Sequence, residues 1–239
     1  MLVPTCGNLF RGVAIRDDYP IPDFTAGLPL HGPLLEIGCS WGRWSIAAAK
    51  AGYRVVAIDP HLQALLCAQW LARKLVPDNQ PLFVLADARR LPFRAETFTS
   101  AFSYSVIQHF SRPNAARTLQ QVGNSLQPGG LAMVQMPNYD GLARYLFNRR
   151  EPDRKAVEFD VRYYGINELL ALFEATIGRS SWQVDCFLGL NVHAADRRLL
   201  PRTRWPILWL AEALRFAAAR VPFMAHYADS VFISAVKEA

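Results

Sequence analysis

The sequence is poor in cysteine and has no long apolar run. Its four cysteines stand far apart, without the close pairing of a zinc site or the density of a disulfide scaffold: Cys6, Cys39, Cys67 and Cys186. No apolar run approaches the about 20 residues that cross a bilayer, and Met1 to Gly12 lacks the apolar segment of a secretory signal. We therefore expect a cytoplasmic protein with reduced thiols.

Basic charge is not spread along the chain either. Of the net charge of +6, the stretch from Asp196 to Arg220 contributes +4, because six arginines face two acids there. A nucleic-acid-binding protein more often carries its charge along a whole groove, so no nucleic acid is expected as a partner. The arginine cluster fits either a local partner or a solvated helix face.

What the sequence does contain is an alternation of short apolar runs and helical patterns. The runs "GPLLEIG", "RVVAIDP", "PLFVLAD", "TFTSAFSYSVIQ" and "GGLAMVQMPN" predict five strands, and helical spacing predicts helices between most of them. A sixth strand at about 182–187 and a last one in "DSVFISAV" follow. This alternation predicts an α/β fold with an open, doubly wound sheet and a site at the carboxyl ends of its strands.

The turn after the first strand, "EIGCSWGRW", carries two glycines. Gly38 and Gly42 would let the backbone approach a ligand where a helix begins. A phosphate-binding loop would place Lys and Ser or Thr after the glycines, where this chain has Arg43 and Trp44. Of the three glycines of a dinucleotide-binding fingerprint, only Gly38 is present, so a bound phosphate is not favoured here. The remaining feature is Glu36, an acid near the strand end that could contact a cation.

In these segments the chain resembles the class I S-adenosylmethionine-dependent methyltransferases. The motifs that match, in order, are "EIGCSWGRW", "VVAIDP", "LADARRLPF", "FSYSVIQHF" and "LQPGGLAMVQMPN", between about Leu34 and Asn138. The resemblance implies S-adenosylmethionine as cofactor and a Rossmann-like sheet of about seven strands. The sheet would be mostly parallel with an antiparallel last strand and helices on both faces. The chain departs from the family at Ser40, where members usually have Gly.

The resemblance assigns donor-binding roles to the first motif. Glu36 would accept a contact near the methionine ammonium, and the backbone of Gly38, Cys39 and Gly42 would cradle the amino-acid part.

The later motifs would bind the nucleoside. Asp59, followed by Pro60, would accept both ribose hydroxyls. Asp87 would accept the adenine amino group, the Ala88 amide would donate to a ring nitrogen, and Ser103 would face the sulfonium. Taken singly, the two aspartates are equally compatible with turn or helix caps.

His109 is the candidate general base, because "VIQHF" follows the fourth strand and so lies at the carboxyl edge. A loop histidine that hydrogen-bonds the backbone is the alternative. Acids such as Asp140 and Asp160 show no metal-ligand spacing, so we expect no metal.

The acceptor is expected outside the matched core. The segment 1–31 would form a lid over the cofactor, with Tyr19 and Phe24 as contact residues. The substrate-side candidates after the fifth strand share aromatic or basic character: Tyr139, Arg162, Tyr163 and Tyr164. Half-buried packing of these tyrosines is the alternative.

A helix inserted at about 205–221 is the least typical segment. Ile207, Leu210, Ala211, Leu214 and Ala218 share one helical face, which predicts packing on the domain or a dimer contact. Its two tryptophans and the nearby arginines also fit an interfacial helix on a membrane surface.

Together these observations predict a single methyltransferase domain, 1–239, with a cofactor core at 32–138 and a substrate-side half at 139–239. The expected reaction is O-methylation of a small-molecule, sugar or lipid-linked acceptor, by an enzyme in the cytoplasm or at the inner membrane face. The alternatives are an RNA or protein methyltransferase and a non-catalytic cofactor-binding scaffold. The oligomeric state stays open.

Overall fold

The structure, a computed structural model, describes residues 21–147, 161–188, 197 and 200–238. Cys6, Tyr19 and most of the predicted lid segment lie outside the described residues. Cys39, Cys67 and Cys186 are free thiols.

Seven strands form one sheet in the order β3-β2-β1-β4-β5-β7-β6. They are β1 (Pro33–Ile37), β2 (Arg54–Asp59), β3 (Leu82–Leu85), β4 (Phe98–Tyr104), β5 (Leu126–Pro137), β6 (Ser180–Cys186) and β7 (Ser230–Val236). The first five pair in parallel, and β7 runs antiparallel to both β5 and β6. The predicted mostly parallel sheet with an antiparallel last strand is confirmed.

The helices of the described ranges cover both faces of this sheet. They are α1 (Arg43–Lys50), α2 (Leu62–Leu75), α3 (Arg112–Ser125), α4 (Leu142–Phe147), α5 (Ile166–Thr176), α6 (Trp205–Ala218) and α7 (Pro222–Ala225). Leu34 of β1 belongs to a core shared with α1 and α2, whereas its neighbour Leu35 belongs to a core shared with α3 and α5. Because successive strand side chains point to opposite faces, the central strands feed both cores.

Two predicted element ends differ from the structure. The fourth strand was expected to continue into "SVIQ", but β4 stops at Tyr104 because Ser105 has a φ of 57° and a 3-10 turn follows at Ile107–His109. The inserted helix ends at Ala218 rather than 221. Val221 precedes a proline and is extended, as residues before proline prefer.

The buried side of α6 also differs from the predicted one. Ala211 and Ala218 are buried as expected and Leu208 joins them, but Ile207 and Leu210 are exposed. The helix carries large apolar residues nearly all round, so spacing alone did not select the packed side.

Within the described part of the chain, no helix combines the length and apolarity needed to cross a membrane.

Candidate active site

The turn between β1 and α1 depends on its glycines. Gly38 has a φ of 73°, and a Cβ there would lie 2.5 Å from a methyl carbon of Val106. Gly42 has a φ of 82°, and a Cβ there would lie 2.9 Å from the Cβ of Ala68. Both positions therefore need glycine, for the left-handed conformation and because Val106 and Ala68 fill the space beside them.

Ser40 lies between these glycines with a φ of 48°, a conformation that glycine adopts most easily. Its backbone N–H donates to Oδ2 of Asp59 at 2.9 Å. The serine that departs from the family pattern thus keeps the left-handed backbone of the loop, and a hydrogen bond from the end of β2 holds it.

Glu36 lies beneath the loop and is buried. The hydroxyl of Ser45, in the first turn of α1, donates to its Oε2. Burial raises the pKa of the Glu36 carboxyl to about 8; the bond from Ser45 opposes this, and the charge of Asp59 adds to it. Glu36 therefore carries a proton at neutral pH and ties β1 to α1, a link that the sequence did not indicate.

Cys39 is buried as well, and burial raises the pKa of its thiol, so it is a protonated packing group. The N–H groups of Gly38 and Cys39 both donate to the carbonyl of Ile58, at 2.8 and 3.0 Å. These two amides hold the loop against β2.

Asp59 ends β2 at the same sheet edge. Besides its bond from Ser40, its Oδ1 accepts the backbone N–H of His61 at 2.9 Å, while Pro60 is exposed. Each carboxylate oxygen keeps a further lone pair, so the group can cap the turn and still accept a hydroxyl.

Asp87 follows β3, where its carboxylate is engaged by Arg89. Oδ1 accepts the Arg89 N–H at 2.9 Å, and the Arg89 guanidinium pairs with Oδ2 at 2.6 Å. These hydrogen bonds and the Arg89 charge hold the pKa of Asp87 below its usual range. Asp87 thus caps the turn that follows β3 by accepting the Arg89 backbone N–H. Ala88, the next residue in the chain, is buried.

Ser103 lies near the end of β4, and His109 follows that strand. The Ser103 hydroxyl is buried and donates to the carbonyl of Ile37 at 3.2 Å, so it links β4 to β1. The His109 carbonyl accepts a bond from the Arg162 guanidinium at 2.8 Å, and the Arg162 N–H donates to the carbonyl of Gln108 at 2.9 Å. The structure therefore brings Arg162 beside His109.

The three tyrosine candidates lie near this pair but in different surroundings. Tyr139 is 50% exposed and stacks under the Arg144 guanidinium, and Tyr163 is half-buried beside the same arginine. Tyr164 is 1% exposed and packs in the core, which corrects its placement at a substrate opening. The reason is that its backbone bridges Asn138, which draws the ring under the sheet edge.

A polar row that the sequence analysis missed crosses the carboxyl ends of β4, β5 and β6 and the amino end of β7, which runs the other way. Ser105 donates to Oε1 of Gln135 at 2.7 Å, and Gln135 donates to Oδ2 of Asp185 at 3.2 Å. Ser230 donates to the same oxygen at 2.8 Å. The sequence feature that could have predicted this row is the presence of polar residues inside otherwise apolar strands.

Asp185, one member of this row, lines a cavity of about 380 Å³ between the sheet and α6. Phe24, Trp44 and Phe102 line its apolar side, and Gln183, Asp185 and Arg215 are among its polar lining. Phe24, predicted as a lid contact, packs on Trp44 and Phe102 with ring centroids 6.2 and 5.0 Å apart. The donor-side acids do not line this cavity.

Among the described residues, no three metal-binding side chains of the His, Cys, Asp and Glu types come together.

Comparison with known proteins agrees with this geometry. A family profile described as "Methyltransferase domain" matches residues 34–130. No match was found among curated proteins.

Solved structures resemble the fold over most of the chain. A SAM-dependent methyltransferase from Methanosarcina mazei has a TM-score of 0.58 and 18% identity, covering 90% of this chain and 99% of its own. Magnesium protoporphyrin IX methyltransferase from Synechocystis, solved with bound SAH, has a TM-score of 0.56 and 13% identity, covering 86% and 74%. The cyclase SpnF has a TM-score of 0.54 and 18% identity, covering 87% and 75%.

The strand order, the glycine turn beside Asp59 and the matched profile agree on one assignment. Residues 34–130 match the methyltransferase-domain family, and the chain as a whole has the fold of the solved SAM-dependent methyltransferases.

Proposed function

We propose that the enzyme transfers a methyl group to a hydroxyl of a small-molecule, sugar or lipid-linked acceptor. The observation that carries this proposal is the 380 Å³ cavity, whose lining includes the Gln183 amide and the Asp185 carboxylate beside the rings of Phe24, Trp44 and Phe102. Amide and carboxylate groups in a partly aromatic cavity suit a small hydroxylated molecule.

The donor side fits S-adenosylmethionine. A Cβ at Gly38 or Gly42 would collide with Val106 or Ala68, so the loop conformation needs both glycines, and Asp59 keeps lone pairs for ribose hydroxyls. We assign the amino-acid part to the loop backbone at Gly38, Cys39 and Gly42, and to Glu36 the role of a neutral acid that supports this loop through Ser45. When bound, S-adenosylmethionine supplies a methyl group already activated on a sulfonium.

The nucleoside part belongs to Asp59 with Pro60 and to Asp87 with Ala88, and the carbonyl of Ser103 completes the site. Adenine binding at Asp87 requires Arg89 to share or release the carboxylate that it now engages. The Arg89–Asp87 ion pair is about half exposed, so solvent screening keeps the free-energy cost of releasing Arg89 small.

On the acceptor side the residues position the hydroxyl and remove its proton. His109 would take the proton that the acceptor hydroxyl gives up on methylation, and the neighbouring residues would hold that hydroxyl in place and exclude water. We assign acceptor contacts to Tyr139, Arg162 and Tyr163. Arg162 donates to the His109 carbonyl, and the two tyrosine rings pack on the Arg144 guanidinium.

The experiment is incubation of the full chain with methyl-labelled S-adenosylmethionine and fractionated cell extract. We expect label in the small-molecule or lipid fraction, in an alkali-stable methyl ether. Asp59→Ala should abolish incorporation, and Asp78→Ala, at an exposed acid on the loop after α2, should not. Label in RNA or protein, or none at all with wild type, would overturn the proposal.

A further inference from the structure

The outward side of α6 is apolar rather than polar. Trp209 is 64% exposed and Phe216 62%, and Trp205 lies on the same stripe of the helix one turn before Trp209. Single exposed apolar residues are ordinary, but a stripe of aromatic rings along one helix is a patch that marks an interaction surface.

The patch continues beyond the helix. Phe223 is 66% exposed, and its ring meets that of Tyr227 edge to face at 5.3 Å. We call the whole set the outer aromatic surface, and it consists of Trp205, Trp209, Leu210, Phe216, Val221, Phe223 and Tyr227.

Positive charge flanks this surface at both ends. Arg202 and Arg204 precede α6, and Arg220 follows it with its guanidinium 3.4 Å from the centre of the Phe216 ring. Glu212 is the single acid between residues 200 and 228, and Arg215 neutralises it at 2.9 Å. The rim is therefore cationic.

The opposite side of α6 is already anchored to the domain. Leu208, Ala211 and Ala218 are buried, and Glu212 and Arg215 line the cavity against the sheet. Contacts within the domain thus bury the inner side of α6, and the aromatic side of the helix faces away from the sheet.

We propose that the outer aromatic surface docks the enzyme on an anionic lipid membrane, with α6 lying in the headgroup region. Tryptophan and phenylalanine rings bury there, and arginines beside them meet lipid phosphates and carboxylates. A second copy fits less well, because a two-fold contact across α6 would bring the arginines of one chain toward those of the other without exposed acids between them. The inference goes beyond the proposed function and holds for any acceptor.

The experiment is sedimentation of the full chain with vesicles of phosphatidylcholine alone or mixed with phosphatidylserine. We expect binding to the mixed vesicles at low salt and its loss at about 0.5 M salt, where charges are screened within a few Å. Trp209→Ser should weaken binding about tenfold, and Arg202→Ser and Arg204→Ser about fivefold each.

The matched controls lie on α2. Trp70 is 54% exposed with the Lys74 ammonium 5.5 Å from its ring, so Trp70→Ser and Arg73→Ser remove an aromatic ring and a charge from another surface. These variants should bind as wild type does, and thermal unfolding should show that all variants fold. The proposal is overturned if wild type ignores anionic vesicles at low salt, if Trp70→Ser weakens binding as much as Trp209→Ser, or if Trp209→Ser instead dissolves a dimer.

Discussion

At the scale of single residues, Ser40 shows how the cofactor loop tolerates an unusual side chain. Its φ of 48° lies in the left-handed region, and the bond from its N–H to Asp59 fixes it there. A residue with a Cβ is strained by about 1–2 kcal/mol in that region, and a β-branched residue suffers most.

The variants of Ser40 should therefore differ in stability in a set order, with glycine above valine. Ser40→Val should lower the free energy of unfolding by about 1–2 kcal/mol relative to Ser40→Gly, measured by chemical denaturation. The control is Ser181, exposed on β6, where valine should be the more stable of the two because strands favour it. The same order at both sites would contradict a strained Ser40.

Glu36 predicts a pH dependence of stability. Its folded pKa of about 8 exceeds the ordinary 4.5, so between these values the folded chain holds a proton that the unfolded chain has released. Stability should therefore fall as pH rises through this window, by about 1.4 kcal/mol per unit. Glu36→Gln, which stays neutral and can accept the Ser45 bond, should remove that slope. Parallel curves for wild type and variant would show that Glu36 is ionised throughout.

His109 is the residue whose proposed role is chemical. His109→Ala should lower turnover about 10²- to 10⁴-fold and leave the dissociation constant of S-adenosylmethionine nearly unchanged, because a base acts on the acceptor. Single-turnover kinetics and calorimetry measure the two quantities. His31→Ala, at an exposed histidine before β1, is the control. Full activity without His109 would leave positioning alone to account for catalysis.

At the scale of elements, α6 has buried and exposed apolar side chains within a single helical turn. Leu208 is buried and Leu210 is 54% exposed, although both are leucines of the same helix. The contact with β6 settles which side is covered, since the helix itself is apolar nearly all round.

The two leucines provide a matched test. Leu208→Ala should lower the free energy of unfolding by about 2–5 kcal/mol, because it leaves a cavity, whereas Leu210→Ala should change it by about 0.5 kcal/mol or less. Urea unfolding at one temperature measures both. Equal losses would mean that the outer side of α6 is packed in solution.

At the scale of the whole molecule, Asn138 joins the matched core to the second half of the chain. Its buried amide donates to the carbonyls of His226 and Ala228 at 2.7 and 2.9 Å, and its N–H donates to the carbonyl of Asp229. We propose on this basis, and on the shared sheet, that the two halves form one domain.

One domain predicts one cooperative transition. Far-ultraviolet circular dichroism and tryptophan emission should give coincident unfolding curves. Asn138→Ala should shift both together and cost about 2–3 kcal/mol, since it strands two buried carbonyls. Asn124→Ala, on the exposed side of α3, should change stability by about 0.5 kcal/mol or less. Two separate transitions would divide the chain into two domains.

The sequence by itself determined the order of strands and helices, the glycine turn and the acids close to the carboxyl ends of β1, β2 and β3. These features are local: apolar runs bounded by Gly and Pro, helical spacing, and residues a few positions apart. Because parallel strands end at one edge, the motif acids had to meet there.

The tertiary structure decided what depends on distant partners. Ser105, Gln135, Asp185 and Ser230 meet only because β7 inserts between β5 and β6, and no local pattern encodes that order. Likewise the bridge to Asn138 buries Tyr164, and the contact with β6 turns Trp209 outward. Non-local packing selects among the faces that local periodicity leaves equivalent, so the residues that we propose for the acceptor side depend on the folded chain.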